Sequence, residues 1–282
     1  MSYATRRKII SRVAEALCAI AVLLALIPLA MILFYVIKEG AGALNFAFFT
    51  QMPKPVGETG GGMANAIVGT LILIGIASAF AVPIGCMTGI HLAEYPTTRF
   101  SAAVRFAADV LNGVPSIVWG MVVYALLVVP FKSFSAYAGG VALGLMMVPL
   151  VMRTTEEVLI LVPQSYREAG LALGIARWKI ITVVVIKTAL KGIVTGVLVA
   201  LARVAGETAP LLFTALGNNF WNHNLGEPIA AIPLQIFAYA ISPYDDWHRL
   251  AWGGALVLIA LIVIAVSLVR YVTSRGVLKG AS

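Results

Sequence analysis

The chain has 282 residues, 61% of them hydrophobic and only 11% charged, with a mean hydropathy of +0.97. That balance excludes a water-soluble globule and points to a polytopic membrane protein. Cys18 and Cys86 both lie in apolar runs and suggest neither a disulfide framework nor a metal site.

Arg6, Arg7, Lys8 and Arg12 precede an apolar run from Val13 to Ile37. A cleaved leader ending near Ala41-Gly42-Ala43 is one reading. The run, however, exceeds the roughly 7–15 residues of a signal h-region, and about 20 residues suffice to span. An uncleaved first span is therefore expected. Lys38 to Gly62 is polar and rich in Gly and Pro, which predicts a flexible external loop. A second span follows from Met63 to Leu92, kinked or ended near Pro83. A third covers Val110 to Pro130, entered through Asn112-Gly113-Val114-Pro115, and a fourth Ser135 to Met152, with Gly140 and Gly144 four apart. Arg153 to Lys191 holds a polar, basic, helix-capable island, Glu168 to Lys179, before a fifth span, Gly192 to Leu216. Within the polar stretch Gly217 to Arg249, the apolar piece Pro228 to Ala240 is too short to span and reads as interfacial or re-entrant. The sixth span is Leu250 to Val269.

Six spans place both termini on one side. Fifteen of the 20 Lys and Arg residues fall on that side, four (Lys38, Lys54, Lys132, Arg249) on the other, and Arg203 inside the membrane. The positive-inside rule then makes both termini cytoplasmic. The net charge of +8 is explained by topology, and nucleic acid is not an expected partner. No G-x-x-x-x-G-K-S/T loop occurs, so ATP hydrolysis is not expected on this chain.

Arg203 and Glu207 lie within the fifth span. A charge at mid-membrane costs about 2.5–3.5 kcal/mol, so it is kept only when paired, wetted or functional. Their i, i+4 spacing would put both on one helix face, in line with a row of small residues, Gly192, Gly196 and Ala200, that admits a neighbouring helix. A structural ion pair at a helix crossing is one reading. The other is an anion pathway at an interface with a second permease, for which the planar fork of Arg is suited. Arg153, at the end of the fourth span, pairs with Glu157 at i+4 on the plain reading and flanks the same pathway on the functional one. His223 and His248, with Asp245 and Asp246, lack metal-ligand spacing. Trp221, Trp247 and Trp252 suit an interfacial belt.

Pro163 to Lys179 predicts a short helix with Ser165 as N-cap and Glu168 three residues on. Gly170 and Gly174, four apart, allow close approach to a partner surface; Gly174 alternatively serves as the left-handed C-terminal residue. The run resembles the cytoplasmic EAA loop of bacterial ABC importer permeases, roughly E-A-A-x3-G-x9-I-x-L-P. Glu168, Ala169 and Gly174 match; Gly170 replaces the second Ala, Val184 the Ile, and Ile186-Lys187 the Leu-Pro. Lys187 there, and the segment Ala200 to Ala215 (ALARVAGETAPLLFTA), resemble the PstA-type, phosphate-importer branch of the family. The resemblance covers most of the chain from Met63 to Val269.

It implies an all-α polytopic membrane protein with six transmembrane helices and the type I ABC importer (MetI-like) permease fold. Residues 1–62 would be tail, first span and external loop; 63–271 the MetI-like domain, with a coupling loop at 163–182; and 272–282 a cytoplasmic tail. The implied function is that of a permease subunit of an ATP-driven, high-affinity phosphate importer of the bacterial inner membrane, working by alternating access. The chain itself would be no enzyme and bind no cofactor, ATP and Mg residing on the ATPase. Implied partners are a PstC-type permease as heterodimer, two copies of a PstB-type ATPase, a periplasmic phosphate-binding protein, inorganic phosphate and the lipid bilayer. The substrate pathway would include Arg203, Glu207, Thr208 and Arg153; Glu168, Ala169, Gly170 and Gly174 would couple to the ATPase. A permease for sulfate or molybdate is the nearest alternative, and a proton-coupled secondary transporter using Glu207 a more distant one.

Overall fold

A computed structural model describes residues 3–278 apart from Val56 and Thr59; Lys279 and the end of the 272–282 tail lie outside the described residues. In a bilayer the backbone must satisfy its own hydrogen bonds, so apolar runs of this length become helices. Eleven can be numbered in chain order. They are α1 (Tyr3–Ala41), α2 (Phe46–Thr50), α3 (Ala64–Glu94), α4 (Arg99–Asn112), α5 (Ser116–Phe131), α6 (Ala136–Ile160), α7 (Gln164–Ala172), α8 (Arg177–Ala205), α9 (Ala209–Thr214), α10 (Ile232–Ala240) and α11 (Asp245–Leu278). No β-strand occurs among the described residues, only an isolated bridge between Leu216 and Ile229.

Five helices (α1, α3, α6, α8 and α11) are long and apolar enough to cross a membrane, and α4 with α5, bent by 102°, makes a sixth if taken as one broken span. That bend corrects the expected third span. Val110 to Asn112 end α4, an amphipathic helix capped by Thr98, whose hydroxyl accepts from Ser101 N at 3.1 Å. Val114 precedes Pro115 and is thereby kept out of the helical region, so the apolar helix starts afresh at Ser116. Pro83 does not end the second span: α3 runs through it to Glu94. The fourth and fifth spans are also longer than expected. α6 continues to Ile160, and α8 begins at Arg177 and includes a π-helical turn at Ile181–Val185, which puts Lys187 and Lys191 inside the helix.

The core is the crossing of α3 and α6. Ala77, Ala81, Gly85 and Gly89 recur every fourth residue on α3 and face α6, where Gly140 and Gly144 lie against Ile76 and Phe80. A Cβ on Gly85 would stand 2.7 Å from the Cβ of Val151, and one on Gly89 would stand 2.6 Å from Met152 O. Small residues let the two backbones approach, which is how helices gain packing where lipid removes the hydrophobic drive. α10 packs on α3 and α11 with Ile232, Leu234, Gln235 and Tyr239 buried, and Ile232 N donates to Thr70 Oγ1 at 2.8 Å. By contrast, no residue from Arg6 to Tyr35 in α1 is buried, and that helix meets α11 only near its end, where Gly40 abuts Trp252.

Candidate functional site

α8 ends at Ala205, with Gly206 as its cap and Pro210, four residues further on, offering no N–H to the Gly206 carbonyl. The last turn tightens, with Gly206 N donating to Arg203 O at 3.3 Å and Glu207 N to Val204 O at 3.1 Å. A new short helix, α9, then starts at Ala209 with Pro210 in its first turn. Arg203 is thus in the final turn of α8, while Glu207 and Thr208 occupy the break. They do not share one continuous helix face, which corrects the i, i+4 expectation. Neither the guanidinium of Arg203 nor the carboxylate of Glu207 has a hydrogen-bond or ion-pair partner among the described residues. Arg203 is exposed and Glu207 partly so.

Arg203 borders a cleft with Asn112, Val114 and Trp119 from the α4–α5 elbow and Met146 and Leu150 from mid-α6. The small row upstream admits a neighbouring helix as expected, and that helix is α6. Gly192 lies against Val158 and Gly196 against Thr154, so both seat α8 on this chain's own α6. Arg153 is not paired with Glu157. Its guanidinium donates to Asp109 of α4 and, at 3.4 Å, to Glu156. Arg153 is thus bound to α4 at Asp109, and Arg203 shares its cleft with Asn112 at the end of that helix.

At the end that holds Glu94 and Ile160, α7 presents the second constellation. It begins after Pro163, whose φ of −54° and ψ of 137° turn the chain into the helix; no side chain caps it, so Ser165 is not the N-cap. It ends in a paired hydrogen-bond motif: Ile175 N to Gly170 O at 3.1 Å and Gly174 N to Leu171 O at 2.9 Å, with Gly174 at φ +71°. Gly174 is the left-handed terminator. Gly170 faces inward, where an added Cβ would meet Ile180 Cδ1 at 2.8 Å, so its close approach is to this chain and not to a partner surface. Glu168 and Ala169 are exposed, as are Leu171, Leu173 and Trp178.

Sequence reasoning missed what holds α7 in place. Glu94, the last residue of α3, is buried and accepts from Arg167 Nε at 2.9 Å, with Arg167 Nη2 at 2.8 Å from the same oxygen. Arg177 approaches its other oxygen at 3.7 Å, donates to Glu94 O at 2.7 Å and stacks over Tyr95. Glu156, also buried, accepts from Arg105 Nε at 2.6 Å. The available signal was an acid at or near the end of each apolar run, which a bilayer-facing helix would not keep unpaired.

Residues 81–276 match the family described as binding-protein-dependent transport system inner membrane component. The chain is 44% identical over 266 residues to the phosphate transport system permease protein PstA of Yersinia pestis, covering 94% of this chain and 90% of that one. The chain belongs to the PstA family of these permeases. PstA relatives reach 46% identity in Xylella fastidiosa (92% and 91% covered) and 39% in a probable PstA of Methanocaldococcus jannaschii (88% of each). The fold is that of the permease in inward-facing structures of the MetNI methionine ABC transporter, at a TM-score of 0.54 and 19% identity over 76% of this chain and 91% of that one. A PstA-family permease is a multi-pass inner-membrane component of an ABC importer, and the MetI-like fold holds, with five or six apolar helices long enough to span.

Proposed function

We propose that this permease carries inorganic phosphate inward across the membrane by alternating access, driven by ATP hydrolysed on a separate subunit. The observation that carries the reading is Arg203, an exposed and unpaired guanidinium level with the middle of α6, at a break between two helices. An isolated cation there is unfavourable by about 2.5–3.5 kcal/mol, and an oxyanion bound by its fork removes that cost. The relatives named for phosphate transport support this choice of anion.

Glu207, freed from the helix by Pro210, has a carboxylate that accepts from the P–OH of hydrogen phosphate; sulfate at neutral pH offers no such donor. Thr208 adds a hydroxyl in the same break, and Arg153 of α6, paired with Asp109 of α4, stands nearby. The complete transporter on this reading pairs the chain with a PstC-type permease, two PstB-type ATPase subunits and a periplasmic phosphate-binding protein. Both termini and α7 face the cytoplasm, in keeping with the excess of Lys and Arg on that side. Glu168 and Ala169 then meet the ATPase, while Gly174 sets the end of the docking helix and Gly170 its seat on Ile180.

The test is uptake of radiolabelled phosphate by vesicles containing all four subunit types with ATP inside. ATP-dependent accumulation that unlabelled phosphate suppresses and sulfate does not is the expected result. Competition by sulfate or molybdate at equal concentration would move the assignment to another oxyanion, and uptake without the ATPase would favour a proton-coupled carrier.

A further inference from the structure

Four arginines and three acids at one end of the molecule form two linked clusters, of which the reading above uses only Arg153. In the first, Glu94 gathers both flanks of the α7 loop. Arg167 belongs to α7 itself, and Arg177 opens α8 just after the loop. Arg167 also donates to Leu159 O at 3.3 Å, near the end of α6, and to Val162 O at 2.9 Å, in the turn after it. One buried carboxylate thus ties α3, α6, α7 and α8 together, and α7 cannot shift without carrying the ends of its neighbours.

The second cluster continues the connection toward the Arg203 cleft. Arg105 of α4 donates to Glu156, to Leu92 O at 2.9 Å near the end of α3 and to Pro96 O at 2.9 Å. Glu156 accepts from Arg153 as well, and Arg153 reaches back to Asp109 of α4. One turn after Asp109 the helix ends at Asn112, on the wall of the Arg203 cleft. Beyond the 102° bend, Gly120 of α5 is so close to Pro210 of α9 that a Cβ would stand 2.7 Å from its Cα. The α4–α5 elbow therefore touches both sides of the break that holds Glu207.

We propose that Glu94 and Glu156 are positioning residues that convert displacement of α7 into displacement of the α4–α5 elbow beside Arg203. The proposal deepens the phosphate-importer reading and rests on it for its transport readout. Each carboxylate bridges guanidiniums from different helices in a buried setting, where removing one charge is felt by the whole cluster. Neither touches the anion.

The experiment uses the whole complex in vesicles with ATP inside. E94Q and E156Q are each expected to assemble and to hydrolyse ATP near the wild-type rate. Phosphate taken up per ATP should fall about tenfold, within the range of a site-to-site coupling. E94D and E156D, which keep the charge, should recover most of that ratio. In a second arm, spin labels are placed at Gln164 and Phe106, both exposed, after replacing Cys18 and Cys86 by Ser. The distance between them should be narrowly distributed in wild type and broad in E94Q, whatever the transported anion.

Unchanged uptake per ATP in both Gln variants, or an equally narrow distance distribution in E94Q, would overturn the proposal. Should E94Q fail to assemble, R177Q takes its place, since that guanidinium is half exposed, and an unchanged ratio there is equally decisive. Wild-type vesicles that hydrolyse ATP without taking up phosphate would overturn the phosphate reading alone, and the spin-label arm would still judge the clamp.

Discussion

Arg203 and Glu207 stand on opposite sides of a helix end: the first in the last turn of α8, the second beyond it, with no ion pair between them. Each charge is therefore available to a ligand. Glu207→Gln is expected to keep phosphate uptake measurable but to narrow discrimination against sulfate by about tenfold, the value of one charge-assisted hydrogen bond. Competition of sulfate with labelled phosphate reads this directly. Unchanged discrimination would remove Glu207 from the anion path.

Gly170 and Gly174 give opposite forms of one prediction. Gly174→Ala forces a left-handed residue with a Cβ, at a cost of about 1–2 kcal/mol, and frays the end of α7. Gly170→Val drives a branched side chain into Ile180 and tilts the whole helix. Co-purification with the ATPase should fall in both, more in Gly170→Val. Full retention by Gly170→Val would mean that the seat on Ile180 does not govern docking.

The span pattern was legible because bilayer length and apolar composition leave few options, and Arg203 was legible because a guanidinium in such a run demands a reason. The helix break was less visible. Pro210 announces it in principle, yet Pro83 and Pro149 sit within continuous helices, so proline alone does not decide. Gly170 read as a contact for a partner because helical spacing gives a face but not its direction; Ile180 lies ten residues on, across a turn. Glu94 escaped because its arginine partners are 73 and 83 residues away, and Glu156 because Arg105 is 51 away; they meet only in the fold.

Gly85→Val tests the central crossing. The added carbons would meet Val151 at less than contact distance, and neither backbone has room to yield. Overpacking of this kind costs about 1–3 kcal/mol. Purified protein in detergent should unfold at lower temperature, and Gly75→Val, at a position with open space, should not change it comparably.

Orientation follows from labelling. In a background with Cys18 and Cys86 replaced by Ser, a cysteine at Leu173 should react with an impermeant maleimide only after the membrane is opened. A cysteine at Asn224 should react in intact spheroplasts. The reverse pattern would invert the topology and with it the direction assigned to α7.

The most direct measurement compares wild type with Arg203→Gln in vesicles holding the complete transporter, following assembly, ATP hydrolysis and phosphate uptake in the same samples. The account predicts that assembly and ATP hydrolysis persist while uptake collapses, because the anion loses the guanidinium that, among the described residues, stands unpaired at the break between α8 and α9. Uptake that continues at the wild-type rate would contradict it and move the anion path to Arg153 or to the partner permease.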